Sequence, residues 1–268
     1  MDEKIKDYIK ITIKNMLNNV SSPSKVDHLK KKHNVKPHFI PIKYRIFSGL
    51  LQSLNIQFGN FIEKLMANFV TSDERYEIIT KYSGIKNNKF IISKDTEELI
   101  DRYITKRQTE NIDEKTLEVK FNYLLKKIIE NENNLNLDVI SFKHDVDLLF
   151  KDKEKDIFYY IEIKYNDDHD SDKFIGLNRK FIKTYAYLIR NLGVKDSTKF
   201  KPILFYFTNK KMKGNIYVPE NQNIYRGEKF FNIFLNIKYS DLDHYMKNLS
   251  EDKDTVKMFD ELYNKIIK

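Results

Sequence analysis

The chain has 268 residues, of which 32% are charged and 41% hydrophobic, a balance typical of a soluble folded protein rather than a disordered one. It contains no cysteine, which excludes disulfides and cysteine-ligated zinc, and no apolar run approaches the length of a membrane span. The net charge of +9 favours an anionic partner such as nucleic acid, although an AT-rich genome also enriches lysine. Residues 1–17 lack the apolar core of a signal peptide, so we expect a cytoplasmic protein.

Residues 1–42 are predicted to form a helical N-terminal arm. Apolar side chains keep helical spacing through residues 2–20, until Pro23 interrupts the pattern. A basic segment follows, and its histidines recur every five residues, at His28, His33 and His38. Because that spacing does not place them on one face of a helix, we interpret them as surface residues or phosphate contacts before any metal site.

Residues 43–71 are predicted to form a core helix, either continuous or divided near Gly59. An apolar stripe at helical spacing runs along it from Phe47 to Phe69. Glu63 lies beside Lys64 in the second half of this segment, where an exposed acid–lysine pair would also be ordinary.

Residues 72–133 are predicted to be a charged insertion followed by a helix. The insertion contains a short strand at Phe90–Ser93 and a helix capped by Thr96. Residues 116–132 have the pattern of a second amphipathic helix, which carries Glu118.

A β-hairpin is predicted to begin at residue 145. Residues 145–150 and 157–165 have the β-branched and aromatic composition of strands, and the charged run between them is predicted to be the turn. If Phe150 pairs with Ile157, Asp147 faces Tyr160 and Asp145 faces Glu162. Alternation along the strands then places four charged residues on one surface: Asp145, Asp147, Glu162 and Lys164. Like charges so close repel each other, so this surface requires a cation.

The segment 134–209 continues beyond the hairpin with a loop dense in acids, a helix that ends at Gly193 and a buried strand at 201–209. The strand is predicted to run parallel to a core strand. His169 in the loop is interpreted as a loop residue before a general base. The C-terminal region 210–268 is predicted to contain a short strand at 214–219, a phenylalanine-rich piece of helix or strand, and helices near 240–249 and 252–267.

Several common motifs are absent from the chain. There is no GxxxxGK[ST] phosphate loop and no GxGxxG, which argues against an NTPase or a dinucleotide enzyme. His144-Asp145 resembles the doublet of HD phosphohydrolases, but the histidine and aspartate expected around it form no convincing pattern, so this stays a minor alternative.

An aspartate followed about fifteen residues later by Glu-x-Lys on a strand resembles the PD-(D/E)XK nuclease superfamily. Other acid-x-lysine sequences lie in helix-like or loop-like sequence, and Val146 stands where the nominal motif has proline. The length and layout resemble a stand-alone type II restriction endonuclease, and residues 161–186 are similar to small enzymes related to the TdeIII group. The resemblance implies an α/β fold with a restriction-endonuclease-like core: a central mixed β-sheet flanked by helices, a helical N-terminal region, and one nuclease domain over 1–268.

The resemblance also implies roles for individual residues. Asp147 and Glu162, with the carbonyl of Ile163, would bind Mg²⁺, for which Mn²⁺ can substitute, and Lys164 would orient the attacking water. Many members of the superfamily place a glutamate on a helix beside the hairpin, for which Glu63 is the candidate and Glu118 its rival. The helix after Glu-x-Lys often presents basic or amide groups to phosphate, and the candidates there are Asn178, Arg179, Lys180 and Lys183.

The implied activity is one-step hydrolysis of double-stranded DNA at a short palindromic or pseudopalindromic site, leaving a 5′-phosphate and a 3′-hydroxyl. A twofold homodimer would match such a site, and a DNA methyltransferase would accompany it in the cell. The alternatives are a repair or Holliday-junction-resolving nuclease of the same superfamily, and a DNA-binding module that kept the hairpin without catalysis.

Overall fold

The structure is a computed structural model that describes residues 1–20, 22–35, 37–85, 88–168 and 170–267, so His169 lies outside the described residues. The helices are α1 (Glu3–Val20), α2 (Pro23–Asn34), α3 (Ile42–Thr71), α4 (Lys94–Thr109), α5 (Glu114–Glu132), α6 (Ser171–Leu192), α7 (Glu220–Asn223), α8 (Gly227–Phe234), α9 (Tyr239–Glu251) and α10 (Lys253–Ile267). The strands are β1 (Tyr76–Ile78), β2 (Asn88–Ser93), β3 (Val139–His144), β4 (Leu148–Asp152), β5 (Ile157–Lys164), β6 (Phe200–Tyr206) and β7 (Ile224–Arg226). Within these described ranges, no helix combines the length and the apolar character needed to cross a bilayer.

The chain divides into two compact units. The first comprises Met1–Lys64 and Asn236–Lys268, and the second comprises Leu65–Leu235. The single nuclease domain over residues 1–268, with its five segments, stays a prediction.

The first unit is helical. The apolar faces of its helices meet in a core that includes Leu17, Leu29, Leu50 and Leu262. Three predicted helices are confirmed here, at 2–20, 240–249 and 252–267. The segment predicted as one helix or two is a single helix, α3, which Gly59 does not interrupt.

The second unit is built on a five-stranded sheet in the order β1-β4-β5-β6-β7. The β1–β4 and β4–β5 pairs are antiparallel, whereas β6 lies parallel to both β5 and β7. The mixed sheet is therefore confirmed, as is the parallel strand predicted at 201–209. A separate antiparallel pair, β2 with β3, accompanies this sheet.

Helices cover both faces of the sheet because both faces are apolar. On one face Leu149 and Tyr160 join a buried cluster with α6, where the Tyr160 and Phe181 rings lie 5.5 Å apart. On the other face the rings of Phe150 and Tyr159 lie 5.4 and 4.9 Å from Phe234 of α8. These layers confirm the predicted α/β class.

The hairpin register differs from the prediction by two residues. Phe150 pairs with Tyr159 rather than Ile157, and Asp152 pairs with Ile157. The strands run further towards the turn because the Asp152 carboxylate accepts hydrogen bonds from the amides of Glu154 and Lys155, at 3.1 and 3.0 Å, and closes a shorter loop. Because side chains alternate with a period of two, an error of two residues leaves every side chain on its predicted face.

Three further predictions in the second unit were wrong. Residues 145–147 are not strand, since β4 begins at Leu148 and the preceding strand is β3, which pairs with β2. The helix α4 is capped by Ser93, whose hydroxyl accepts from the Thr96 amide, so Thr96 is not the cap. Residues 214–219 form bends rather than a strand, and the phenylalanine-rich piece contains both β7 and α8.

Candidate active site

Two carboxylates and one ammonium group converge where the C-terminal end of β5 lies beside the start of β4. Continuing the observed register by one residue beyond the Leu148–Ile161 pair places Asp147 opposite Glu162. Asp147 Oδ2 accepts a hydrogen bond from the Ile163 amide at 2.8 Å, which fixes the carboxylate against β5. Lys164 Nζ lies 3.3 Å from Asp147 Oδ2 and 2.8 Å from Glu162 Oε1.

A backbone carbonyl completes the set of oxygen atoms around the lysine. Lys164 Nζ donates to the Ile163 carbonyl oxygen at 2.8 Å. The ammonium therefore lies among the oxygen atoms of Asp147, Glu162 and Ile163, which are the three groups predicted to bind a metal ion. This arrangement accommodates a positive charge, and carboxylate and carbonyl oxygens are the ligands that Mg²⁺ prefers. The residues present thus fit a hard divalent cation.

The carboxylates and the lysine stabilise each other's charged forms. Burial opposes ionisation of Glu162, but Lys164 and the Tyr160 hydroxyl outweigh it and hold the pKa of Glu162 below its ordinary value. Burial likewise opposes the charge on Lys164, whereas Asp147 and Glu162 raise the pKa of that lysine well above its ordinary value. At neutral pH the cluster consists of two carboxylates and one ammonium.

Two further side chains contact Glu162 and were not assigned a role from the sequence. The fully buried Tyr160 hydroxyl donates to Glu162 Oε2 at 2.7 Å. His144 Nε2, at the end of β3, lies 3.9 Å from the same oxygen. Burial is the main reason that the pKa of His144 lies below its ordinary value, so its imidazole is neutral at pH 7. Strand alternation does place Tyr160 and Glu162 on one face, whereas the β2–β3 pair that positions His144 was not predicted.

Asp147 lies beside Lys164, whereas Asp145 lies beside His144. Asp147 lies in a bend just before β4, with its side chain 8% exposed. Asp145 acts electrostatically on His144, beside it in the chain. The prediction that Asp147 lies inside a strand was wrong, although Asp147 contacts β5 all the same.

The four residues predicted to contact DNA from α6 differ in their surroundings. Asn178 is fully buried, donates to the Phe174 carbonyl and accepts from the Asn215 amide at 2.9 Å. This packing engages both ends of the Asn178 amide, and its contact with DNA stays a prediction. Its observed role is to hold the loop around Asn215.

The cations of α6 divide into paired and exposed groups. Arg179 Nε lies 2.8 Å from Asp101 Oδ1, and Lys183 pairs with Glu97, so both side chains connect α6 to α4. Lys180 is exposed, and its charge contributes to lowering the pKa of His144. Of these three cations, Lys180 is therefore the one whose charge acts on His144, the residue that adjoins Glu162.

The two candidates for the helix glutamate lie in different units. Glu63 lies on α3 within the first unit, and its role stays a prediction. Glu118 lies on α5 in the second unit, where its carboxylate accepts from the Gln222 amide at 3.1 Å. The contact with Gln222 gives Glu118 a structural role between α5 and α7.

Comparison with known proteins yields a consistent result. Residues 1–250 match the family described as "Type II restriction endonuclease, HinfI". The chain is 52% identical over 267 residues to the type II restriction enzyme HinfI of Haemophilus influenzae, an alignment that covers 100% of this chain and 99% of that protein. No solved structure matches the chain. Because both matches extend over nearly its whole length, this chain belongs to the HinfI family of type II restriction endonucleases.

Proposed function

We propose that this type II restriction enzyme cleaves DNA at the cluster of Asp147, Glu162 and Lys164, with Mg²⁺ as its cofactor and Mn²⁺ able to substitute. The proposed substrate is a short palindromic or pseudopalindromic double-stranded site, and the proposed products carry a 5′-phosphate and a 3′-hydroxyl. The observation that supports this proposal is the position of Lys164 Nζ, within 3.3 Å of oxygen atoms from Asp147, Glu162 and Ile163. This pattern matches the PD-(D/E)XK arrangement.

The divalent ion, held by the carboxylates of Asp147 and Glu162 and by the Ile163 carbonyl, would supply Lewis-acid polarisation of the phosphate and activation of water. The chain itself supplies the orientation of these groups. The Ile163 amide fixes Asp147, and the Tyr160 hydroxyl binds one oxygen of Glu162 so that the other faces Lys164. Both carboxylates are therefore preorganised before substrate arrives.

Lys164 acts in this proposal as a positioned cation. Its neighbours raise its pKa, so it stays protonated at neutral pH. A protonated lysine can donate to the attacking water or to a phosphate oxygen, and it can stabilise the negative charge that develops there. Lys180 is the α6 residue that we propose as a phosphate contact. Glu63 is kept as the proposed helix glutamate.

Digestion of a plasmid with and without Mg²⁺ or Mn²⁺ tests the proposal. We expect discrete fragments that appear only with metal and carry 5′-phosphates, as shown by end labelling. A smear, or cleavage restricted to branched DNA, would instead favour a repair or junction-resolving nuclease. Binding without cleavage in either metal would identify a DNA-binding module and contradict the proposal.

We expect Tyr160→Phe to lower the cleavage rate by about tenfold, because Glu162 Oε2 loses a buried hydrogen bond worth about 1.5–3 kcal/mol to a charged acceptor. The phenyl ring keeps the packing against Phe181, so the fold should persist. Titrating Mg²⁺ or Mn²⁺ by calorimetry separates a positioning role from a structural one. If Tyr160 positions Glu162, a fully folded variant binds the metal more weakly. The matched control is Tyr185→Phe, a buried tyrosine of the same unit whose ring packs on Phe200. Unchanged metal affinity in Tyr160→Phe contradicts the positioning role.

We also propose that the enzyme acts as a homodimer, with a cognate DNA methyltransferase in the cell. One cluster cuts one strand, so two subunits related by a twofold axis would cut both strands of a symmetric site. Light scattering with and without cleavable duplex is expected to give the mass of two chains on the DNA. A protein that stays monomeric on a duplex that it cleaves contradicts the dimer. The cytoplasmic location stays a prediction.

A further inference from the structure

A basic cleft lies between α2 and α3 within the first unit. Its volume is about 710 Å³. Its lining includes three cations, Lys25, Lys32 and Arg45, together with three histidines. Among the described residues that line it, none is an aspartate or a glutamate. The three cations give the cleft a formal charge of +3 when its histidines are counted as neutral.

Helix α2 presents its charges to the cleft through helical spacing. Lys25, His28 and Lys32 are separated by three and four residues, so they share one face of the helix. Leu29 on the same side is buried, and it packs where α3 has Gly49. A Cβ at Gly49 would come within 3.0 Å of Leu29 Cδ2, so the glycine permits this close approach of the two helices. The close approach brings the cations of α2 alongside α3.

Helix α3 adds hydrogen-bond donors to the opposite wall. Arg45, Ser48 and Gln52 are separated by three and four residues and line the cleft. Arg45 Nη1 donates to the His33 carbonyl at 3.0 Å, which anchors the guanidinium at the end of α2. The cleft thus combines fixed positive charge with hydroxyl and amide donors, which is the chemistry that binds phosphate oxygens.

A neighbouring cleft of the same unit provides a contrast. Lys10, Lys14 and Lys257 line it together with Asp254 and Glu261, so acids share the lining of this cleft. In the part of the chain that the structure describes, neither Lys25 nor Lys32 forms an ion pair with a carboxylate. Two lysines of one helical face without acids beside them create a positive potential that attracts an anion.

We propose that the α2–α3 cleft is a binding site for phosphate groups of the DNA backbone, through Lys25, Lys32 and Arg45. This inference rests on the proposed function, since it assigns a second region of the enzyme to the same substrate. Phosphate contacts position a protein on the duplex without reading its sequence. The cleft therefore contributes affinity that is independent of sequence and sensitive to salt.

The test compares two double variants of the full chain that remove equal charge from the same unit. Lys25→Gln/Lys32→Gln removes the lysines of the cleft, and Lys10→Gln/Lys14→Gln is the matched control. Binding to a fluorescent duplex is measured without metal across a series of salt concentrations. Each lost phosphate contact reduces the slope of log affinity against log salt by about 0.9, so we expect the cleft variant to lose about 1.8 and the control to retain the wild-type slope.

The outcomes separate this inference from the proposed function. Equal slopes in the wild type and the cleft variant, or equal losses in both double variants, overturn the cleft assignment while metal-dependent cleavage stands. A wild type that binds no duplex overturns both. Calorimetry with inorganic phosphate tests whether the cleft instead binds a free anion. If phosphate binding depends on Lys25 and Lys32 while the salt dependence of DNA binding is unchanged in the cleft variant, the DNA assignment is overturned.

Discussion

Glu162→Ala and Lys164→Ala are each expected to lower DNA cleavage by about 10³-fold or more, while the variant still folds and binds DNA. Glu162 supplies one of the two carboxylates of the proposed metal site. Lys164 is the cation that lies 2.8 Å from Glu162 and 3.3 Å from Asp147. Neither change removes a residue of the α2–α3 cleft, so salt-dependent DNA binding should persist.

Stability has to be measured alongside activity, because the three charges are buried together. Loss of Lys164 removes the ammonium group from between two carboxylates, and removing one partner of a buried pair costs about 3–5 kcal/mol. Loss of Glu162 leaves the lysine with Asp147 and is expected to cost less. Thermal melts establish whether each variant is folded at the assay temperature, and Glu162→Gln retains the shape of the side chain if the alanine variant is too unstable.

The chain offers a matched control with the same residue types and spacing. Glu251 and Lys253 form another acid-x-lysine sequence, at exposed positions where α9 ends and α10 begins. Their alanine variants should cleave like the wild type. Near wild-type cleavage by a folded Glu162→Ala or Lys164→Ala would show that the hairpin is not the active site.

Asp147→Asn is expected to abolish metal-dependent cleavage, whereas Asp145→Asn is expected to retain most of it. The geometry behind this expectation is the 2.8 Å hydrogen bond from the Ile163 amide to Asp147 Oδ2, which holds that carboxylate beside Glu162. An asparagine keeps the size of the side chain but lacks the charge that binds a cation. The two substitutions lie two residues apart and change the same group, so each serves as the control for the other.

Cleavage by both variants is measured in Mg²⁺ and in Mn²⁺, and metal binding is measured by calorimetry. We expect weak metal binding by Asp147→Asn in both ions and normal binding by Asp145→Asn. An inactive Asp145→Asn with an active Asp147→Asn reverses the assignment and makes Asp145 the metal ligand.

Alternation along strands explains why the predicted cluster survived a wrong register. The hairpin pairs two residues away from the predicted register, yet Asp147, Glu162 and Lys164 still share one surface. A slip of one residue would have reversed the faces. The turn is shortened by hydrogen bonds that Asp152 accepts from the Glu154 and Lys155 amides, a local contact that the charged composition of this run did not reveal.

Pairing between distant segments decided which residues of α6 stay accessible. Helical spacing correctly places Asn178, Arg179 and Lys183 on one helix. It does not reveal that the loop around Asn215 covers Asn178, or that Asp101 and Glu97 of α4 engage the two cations. Asn215 lies 37 residues from Asn178 in the chain, and Glu97 lies 86 residues from Lys183.

The sequence by itself determined the helical N-terminal region and the face on which the acids and the lysine lie, because these follow from periods of 3.6 and two residues. The mixed α/β class was implied by the resemblance of the hairpin to the PD-(D/E)XK nucleases. Only the tertiary structure decided that Asp147 acts from a bend, that Tyr160 and His144 adjoin Glu162, and that Asn178 is buried. Periodicity reports which side of an element a residue occupies. The neighbours of that side depend on contacts between segments far apart in the chain, and it is those contacts that assemble the site.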